Sequence, residues 1–469
     1  MTSYFPTKII ILLSFICSLI FLVFNHSIYS FIIILAFIVF YLVNFNQTAL
    51  IYSSIILLIS FTRFGFSESR DIITYSLVLL IYYLFFKKFG MNFKQYPRLP
   101  RPVLYFFILL FGTLTISTLG SKNIGVSLLP YFRTLVFFSV CYVYYSFINK
   151  VSVAFTYLFM ILIAQIVIGL SIYTEFINSG FSFFLVNGVM ARFSGFYANP
   201  NIVGLIIVIT SCVILGLFFL DNFKTRPKKI FLSFLLLNNL LLTILTDSRA
   251  AIIALIFCGG LMLFVFNRKV FVISVLGSAI LALILMLIPS VNEFVTVLLR
   301  LESRSIRPYL WDSGYQLFLN NWLTGVGPEL YKNYPFPYLP SAIINLLVET
   351  GNLTADKVLS PHNYILLMAS ENGILGLFSV LSLYLLYFYL NVKAMIFYKT
   401  RNKDLYFLMI TFFAAGIGIF WRSFFEISGI MNYGYMATDL PFWILMIVMI
   451  YLFQNRETLI KQNNTRVLI

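Results

Sequence analysis

Four short clusters in the chain bring cations, amides and one imidazole to places where apolar stretches begin or end. The first is Arg192 followed by Asn199-Pro200-Asn201. Asn199 and Asn201 can cap the helix that follows, and Pro200 is tolerated in its first turn. Beside that structural role stands a chemical one, in which Arg192 and the open N–H groups of the helix start face an anion. The second is Asp247-Ser248-Arg249-Ala250-Ala251. An Asp or Ser cap with a snorkelling arginine would account for it alone. Two arginines near two helix starts also suit phosphate oxygens, because the planar guanidinium binds two oxygens at once.

The third cluster is Arg304, Arg307, Trp311 and Asp312, then Asn321-Trp322-Leu323-Thr324-Gly325-Val326-Gly327-Pro328. Its tryptophans fit a membrane-interface belt and equally fit stacking on sugar rings. The fourth is Ser360-Pro361-His362-Asn363-Tyr364, followed by Glu371-Asn372-Gly373. A lone histidine is usually a surface residue. His362, however, sits behind a Ser–Pro helix start, and its unperturbed pKa of about 6.5 suits a general base. The other histidine, His26, falls in a tight turn with no polar company. No spacing of metal-ligand type is visible, so neither a metal nor a cofactor is expected. Walker, Rossmann and Gly-x-Ser-x-Gly patterns are absent as well.

The elements that must position these residues are membrane helices. The 469 residues are 61% hydrophobic and 10% charged, with a mean hydropathy of +0.96. Soluble domains carry about 25% charged residues. Apolar runs recur, and in lipid each must satisfy its backbone internally, as a helix or in a barrel. Stretches such as 271–288 are apolar on every face, which excludes a barrel. Spans are expected at 8–24, 28–43, 48–62, 71–87, 103–119, 131–148, 151–173, 201–220, 230–246, 250–266, 270–288, 374–392, 405–422 and 440–453. That makes about 12–14 crossings in an all-α polytopic protein. The first run resembles a signal peptide, but no small-residue cleavage site follows and another span does, so it reads as a helix. Cys17, Cys141, Cys212 and Cys258 lie inside spans and read as small hydrophobes.

The net charge of +16 does not indicate nucleic-acid binding, because the basic residues occupy short connections between spans. Placing the N-terminus in the cytoplasm puts Lys87, Lys88, Lys94, Arg98 and Arg101 inside, with Lys224 to Lys229, Arg268, Lys269 and Lys393 to Lys403. The positive-inside rule favours that orientation, with the C-terminal tail also cytoplasmic. All four clusters then lie on the outer side. The expected divisions are 1–190, N-terminal helices; 191–288, helices carrying the arginine motifs; 289–373, a large external loop; and 374–469, C-terminal helices and tail. Within the loop, 291–299, 308–320 and 341–349 have helical patterns.

Taken in order, the clusters resemble the O-antigen ligase and O-antigen polymerase superfamily. The resemblance rests on Arg192 with Asn199-Pro200-Asn201, on Ser248-Arg249, on Arg307 through Gly325-Val326-Gly327, and on His362-Asn363 with Gly373 after ten intervening residues. It covers roughly residues 190–380, and the first 190 match only as a string of spans. Ile253, where ligases tend to carry leucine, is a conservative departure. The resemblance implies a GT-C-like, metal-independent glycosyltransferase of the bacterial plasma membrane in surface polysaccharide biosynthesis, its donor a glycan on undecaprenyl diphosphate. An acceptor hydroxyl, on a lipid or a glycan, would displace the lipid diphosphate on the periplasmic or extracellular face. Arg192, Arg249 and His362 would be catalytic. Arg307, Asn363, Asn199, Asn201, Ser248 and Trp311 would bind substrate. The intact spacing from His362 to Gly373 favours ligase; a polymerase would use the same donor. The rival of another class is a lipid-linked oligosaccharide flippase, which needs charged groups deep in a central cavity.

Overall fold

The computed structural model describes residues 47–60, 67–182, 191–197, 199–220, 223, 225–287, 306–349 and 360–463. Among these residues the chain is helical throughout, with no strand. In chain order the helices are α1 Gln47–Ser60, α2 Ser67–Phe89, α3 Arg101–Leu119, α4 Ile124–Phe147, α5 Val151–Asn178, α6 Pro200–Phe219 and α7 Arg226–Thr246. They continue as α8 Arg249–Phe266, α9 Arg268–Met286, α10 Arg307–Asn320, α11 Ser341–Glu349, α12 Tyr364–Tyr398, α13 Lys403–Ser423, α14 Met436–Gln454 and α15 Arg456–Asn463. Nine of the described helices are long and apolar enough to cross a membrane: α3 to α8 and α12 to α14. All nine fall on expected spans. The expected spans at 8–24 and 28–43, and the helical pattern at 291–299, lie outside the described residues, as do His26, Cys17 and Arg304.

Local chemistry explains where the helices begin. Asn123, Asn199, Asn363 and Asn402 each stand at an N-cap, the side chain accepting a backbone N–H of the first turn. Pro102, Pro200, Pro227 and Pro308 occupy first-turn positions, where the missing N–H loses nothing. The two short loop helices, α10 and α11, match the expected 308–320 and 341–349 closely.

The centre of the bundle is α14, 94% of whose apolar window is buried, with α6 next at 83%. By contrast α9 exposes Ile273, Leu276, Ile280 and Leu283 on successive turns, as a lipid-facing helix must. Helix α13 packs against α6, α8 and α12, and α12 also packs on α3. Lipid is as apolar as leucine, so close approach and buried hydrogen bonds hold such helices together. Asn239 of α7 donates to Thr210 at 3.0 Å and to Ser211 at 2.9 Å on α6. The hydroxyls of Thr113 on α3 and Ser379 on α12 meet at 2.9 Å. Cys141, Cys212 and Cys258 are buried and free.

One helix departs from its expected start. The span expected from 374 continues backward to Tyr364, but Gly373 (φ 65°, ψ −156°) interrupts it. Residues 364–372 therefore form a half-helix ahead of the spanning part, and they belong to the segment expected to be loop. The half-helix is clamped by the Gly325-Val326-Gly327 turn. Val326 N–H donates to the Ser370 carbonyl at 3.1 Å, and Gly327 N–H to the Glu371 carbonyl at 2.9 Å. A Cβ at Gly325 would sit 2.2 Å from the Glu371 carbonyl, so backbone meets backbone there.

Candidate functional site

The starts of α6, α10 and α12 and the end of α13 converge on one carboxylate, that of Glu426. Its side chain is 1% exposed. Asn201 Nδ2 donates to Oε1 at 2.7 Å, and an Arg307 guanidinium nitrogen donates to the same oxygen at 3.0 Å. His362 Nδ1 lies 3.5 Å from Oε2. Arg422, one helical turn before Glu426, is buried and donates to the Ser428 carbonyl at 2.7 Å and to the Asn201 carbonyl. Burial by itself would raise the Glu426 pKa. The hydrogen bond and charge of His362, with Arg422 and Arg307, outweigh it and hold the carboxyl below its ordinary value.

Asn201 extends the network to the arginine motifs. Its Oδ1 accepts from Arg192 at 2.8 Å, and Arg192 Nε lies 3.9 Å from the buried carboxylate of Asp247. A continuous polar path thus runs from Asp247 through Arg192, Asn201 and Glu426 to His362. Arg307 joins at the hub. One turn further along α10, Trp311 sets its ring 6.1 Å from that of Phe425, and its indole N–H has no hydrogen-bond partner among the described residues.

Beside the hub lies a cavity of about 300 Å³ lined by His362, Glu426, Asn199, Ser360, Glu371, Glu329, Lys332, Tyr433 and Tyr435, among others. Its far wall is a second network. Glu371 accepts the Tyr331 backbone N–H at 2.9 Å and the Tyr433 hydroxyl at 2.6 Å. Burial, then the Glu371 charge, pushes the Tyr433 phenol well above its ordinary pKa, so it stays a donor. Arg133 pairs with Glu329, lies 3.7 Å over the Tyr435 ring, and donates to the Tyr433 carbonyl at 2.7 Å. Three lining residues have left-handed backbones: Glu329 at φ 59°, His362 at 46° and Tyr433 at 49°. Side-chain-bearing residues hold such angles only where their surroundings enforce them.

The expected site residues divide as follows. His362 and Asn199 line the cavity, while Asn201, Arg192 and Arg307 reach it through Glu426. Asn363 is spent on its helix, accepting the Leu366 N–H at 3.0 Å, and Asn199 likewise accepts the Asn201 N–H at 2.9 Å. Ser248 is buried at the N-cap of α8 but makes no side-chain capping bond. Its hydroxyl lies 2.8 Å from where a Gly204 Cβ would stand, so glycine at 204 admits the close crossing of α6 and α8. Arg249 is exposed at the first turn of α8 and does not line the cavity, although Asp247, two residues earlier, ends the network. Sequence reasoning missed Glu426, Arg422, Arg133 and Glu329. A signal was available: Arg422 and Glu426, four apart, are two charges in an aromatic, apolar stretch of a chain with few charges.

Residues 234–381 match the family model described as O-antigen ligase. The match takes in Ser248, Arg249, Arg307, Trp311, His362 and Asn363, and ends before Arg422 and Glu426. No curated protein matches the chain.

Proposed function

Starting from a multi-pass membrane protein of the O-antigen ligase superfamily, we propose a glycosyltransferase that moves a glycan from undecaprenyl diphosphate to an acceptor hydroxyl. The observation that carries this reading is the His362–Glu426 pair on the cavity, His362 inside the family-matched segment and Glu426 beyond its end. With Nδ1 turned to a carboxylate, the other ring nitrogen is left to take a proton, the division of labour that makes histidine a base. Glu426 cannot swing away, because Asn201 and Arg307 hold its other oxygen.

The acceptor oxygen attacks the anomeric carbon and forms the new glycosidic bond. The bond from that carbon to the diphosphate oxygen breaks, and its electron pair leaves with the lipid diphosphate. The acceptor proton passes to His362. Charge grows on the departing diphosphate, and a preorganised cation lowers the barrier when it binds that charge more tightly than the ground state. Arg249, exposed at a helix start, is suited to meet that charge directly, and Arg192 supports the same corner through Asn201 and Asp247.

The basic connections set the orientation, with both termini cytoplasmic and the cavity on the outer face of the plasma membrane. The charged groups that meet around Glu426 gather at one end of the bundle, which favours a transferase over a flippase. Ligase and polymerase share this donor and differ in acceptor. Purified protein with lipid-linked oligosaccharide and either a lipid acceptor or a second lipid-linked unit should form product with one of them. Absence of transfer to both, from protein that binds the donor, would sink the reading.

A further inference from the structure

At the opposite end of the bundle from Glu426, α6, α7, α8 and α13 part to leave a second cleft, of about 720 Å³. It lies about 25 Å from the first, since along α6 Ile202 lines one and Phe218 the other, 16 residues on at about 1.5 Å each. Its walls are apolar, built from Phe218, Phe219, Leu236, Phe266 and Phe407. Phe219 and Phe266 stack with ring centroids 3.7 Å apart, forming a flat, rigid flank. Two exposed lysines, Lys229 and Lys403, complete the lining. Lys403 Nζ stands 5.6 Å from the Phe407 ring, and neither lysine has an ion-pair partner among the described residues. Arg226, Lys228, Arg268 and Arg401 are exposed on the same end.

This is a pocket of mixed character, greasy within and cationic at the edge. A soluble anion would use the lysines and leave the phenylalanine walls in contact with water. A zwitterionic lipid would use the walls and bring its own cation against the lysines. We propose that the cleft seats one phospholipid with an anionic headgroup, its phosphate between Lys229 and Lys403 and an acyl chain along Phe218, Phe219, Phe266 and Phe407. Basic pockets between membrane helices bind anionic headgroups by this combination of charge and apolar surface. The occupant would wedge the four helices whose far ends carry Asn201, Asp247, Arg249 and Arg422. The proposal is independent of the transfer chemistry.

Native mass spectrometry of the full chain in mild detergent, with added phosphatidylglycerol or phosphatidylcholine, tests it. Phosphatidylglycerol should be retained in preference. A lysine near an anionic headgroup contributes about fivefold in affinity, so Lys229→Gln with Lys403→Gln should weaken retention about 25-fold. Removing the same charge at Lys94 and Lys461 should leave it unchanged. Leu236→Trp fills the cleft without touching a charge and should also expel the lipid, which decides the matter if the lysine variant does not fold. Equal retention of the two lipids, or retention by Leu236→Trp, would overturn the proposal. So would displacement of the lipid by millimolar inorganic phosphate, which would mark a free-anion site.

Discussion

His362 Nδ1 and Glu426 Oε2 stand 3.5 Å apart, one residue at the start of α12 and the other just past the end of α13. Neither side chain could be placed by its own helix alone. The pair exists because Arg422, Asn201 and Arg307 anchor the α13 end against α6 and α10. Its disruption is therefore informative about geometry as well as chemistry.

Glu426→Gln keeps the shape and two hydrogen-bonding atoms but removes the charge. Loss of such an orienting partner costs about 10- to 100-fold in activity, and the loss should appear in kcat with donor KM little changed. Stability should respond to pH in a defined direction. The folded-state pKa of Glu426 is depressed, so its contribution is complete above the unfolded value of about 4.3 and is lost as pH falls through the lower folded value. Wild-type Tm should fall across that acid range, and the Glu426→Gln curve should be flatter there. Identical acid limbs in thermal unfolding would show that the carboxyl is not held as described.

His362→Ala should reduce transfer by roughly 100- to 10,000-fold. Donor binding should survive, since the imidazole is not among the cations proposed for the diphosphate. His362→Gln keeps a polar side chain facing Glu426 without a titrating nitrogen and should be nearly as impaired, which separates proton transfer from positioning. His26→Ala serves as control and should match wild type. Full activity in His362→Gln, measured by product formation from purified donor and acceptor, would reduce the histidine to a positioning residue.

The two arginines should fail differently. Arg192 is bonded to Asn201 and lies near Asp247, so Arg192→Ala should lower both Tm and transfer. Arg249 is exposed, so Arg249→Ala should leave Tm within about a degree or two of wild type, as surface changes of up to about 0.5 kcal/mol do. Transfer should nonetheless drop about 30- to 1000-fold, which corresponds to losing about 2–4 kcal/mol of charge-assisted bonding. Arg249→Lys should recover only part, because the point charge lacks the fork. A folded Arg249→Ala variant with normal kcat/KM would remove Arg249 from the site.

Orientation is tested in intact cells carrying single cysteines in a cysteine-free background. An impermeant thiol reagent should label a cysteine at Ser341 and leave those at Lys228 and Lys403 unmodified. Labelling at either lysine position would turn the molecule over and place the His362 cavity in the cytoplasm.

The helices were legible because their signal is local. An apolar run of sufficient length reports itself, and even the minor helices at 307–320 and 341–349 declared their periods. The expected span start at 374 fell on a real break, since Gly373 is where the backbone leaves the helical region. The candidate residues could be named one by one from the sequence, but not their arrangement. Asn363 reads from the sequence as a binding residue, and the structure adds a second role, its side-chain oxygen capping the first turn of α12. Gly325-Val326-Gly327 was legible only as part of a motif, whereas in the structure it grips the half-helix at Ser370 and Glu371. Glu426 was visible as a charge in an apolar stretch, but its role is relational: Asn201, Arg307 and His362, from distant parts of the chain, meet on it, and no window of sequence contains them together.

The left-handed backbones at Glu329, His362 and Tyr433 have a consequence for how this protein can change. Each position would be relaxed by glycine, and each carries a side chain that faces the cavity, so comfort and chemistry pull in opposite directions at three separate places. A left-handed residue with a side chain sits about 1–2 kcal/mol above its preferred conformation. Selection for thermal tolerance alone would therefore tend to erode the cavity first, and a stabilised descendant could keep every membrane helix while its pocket falls silent.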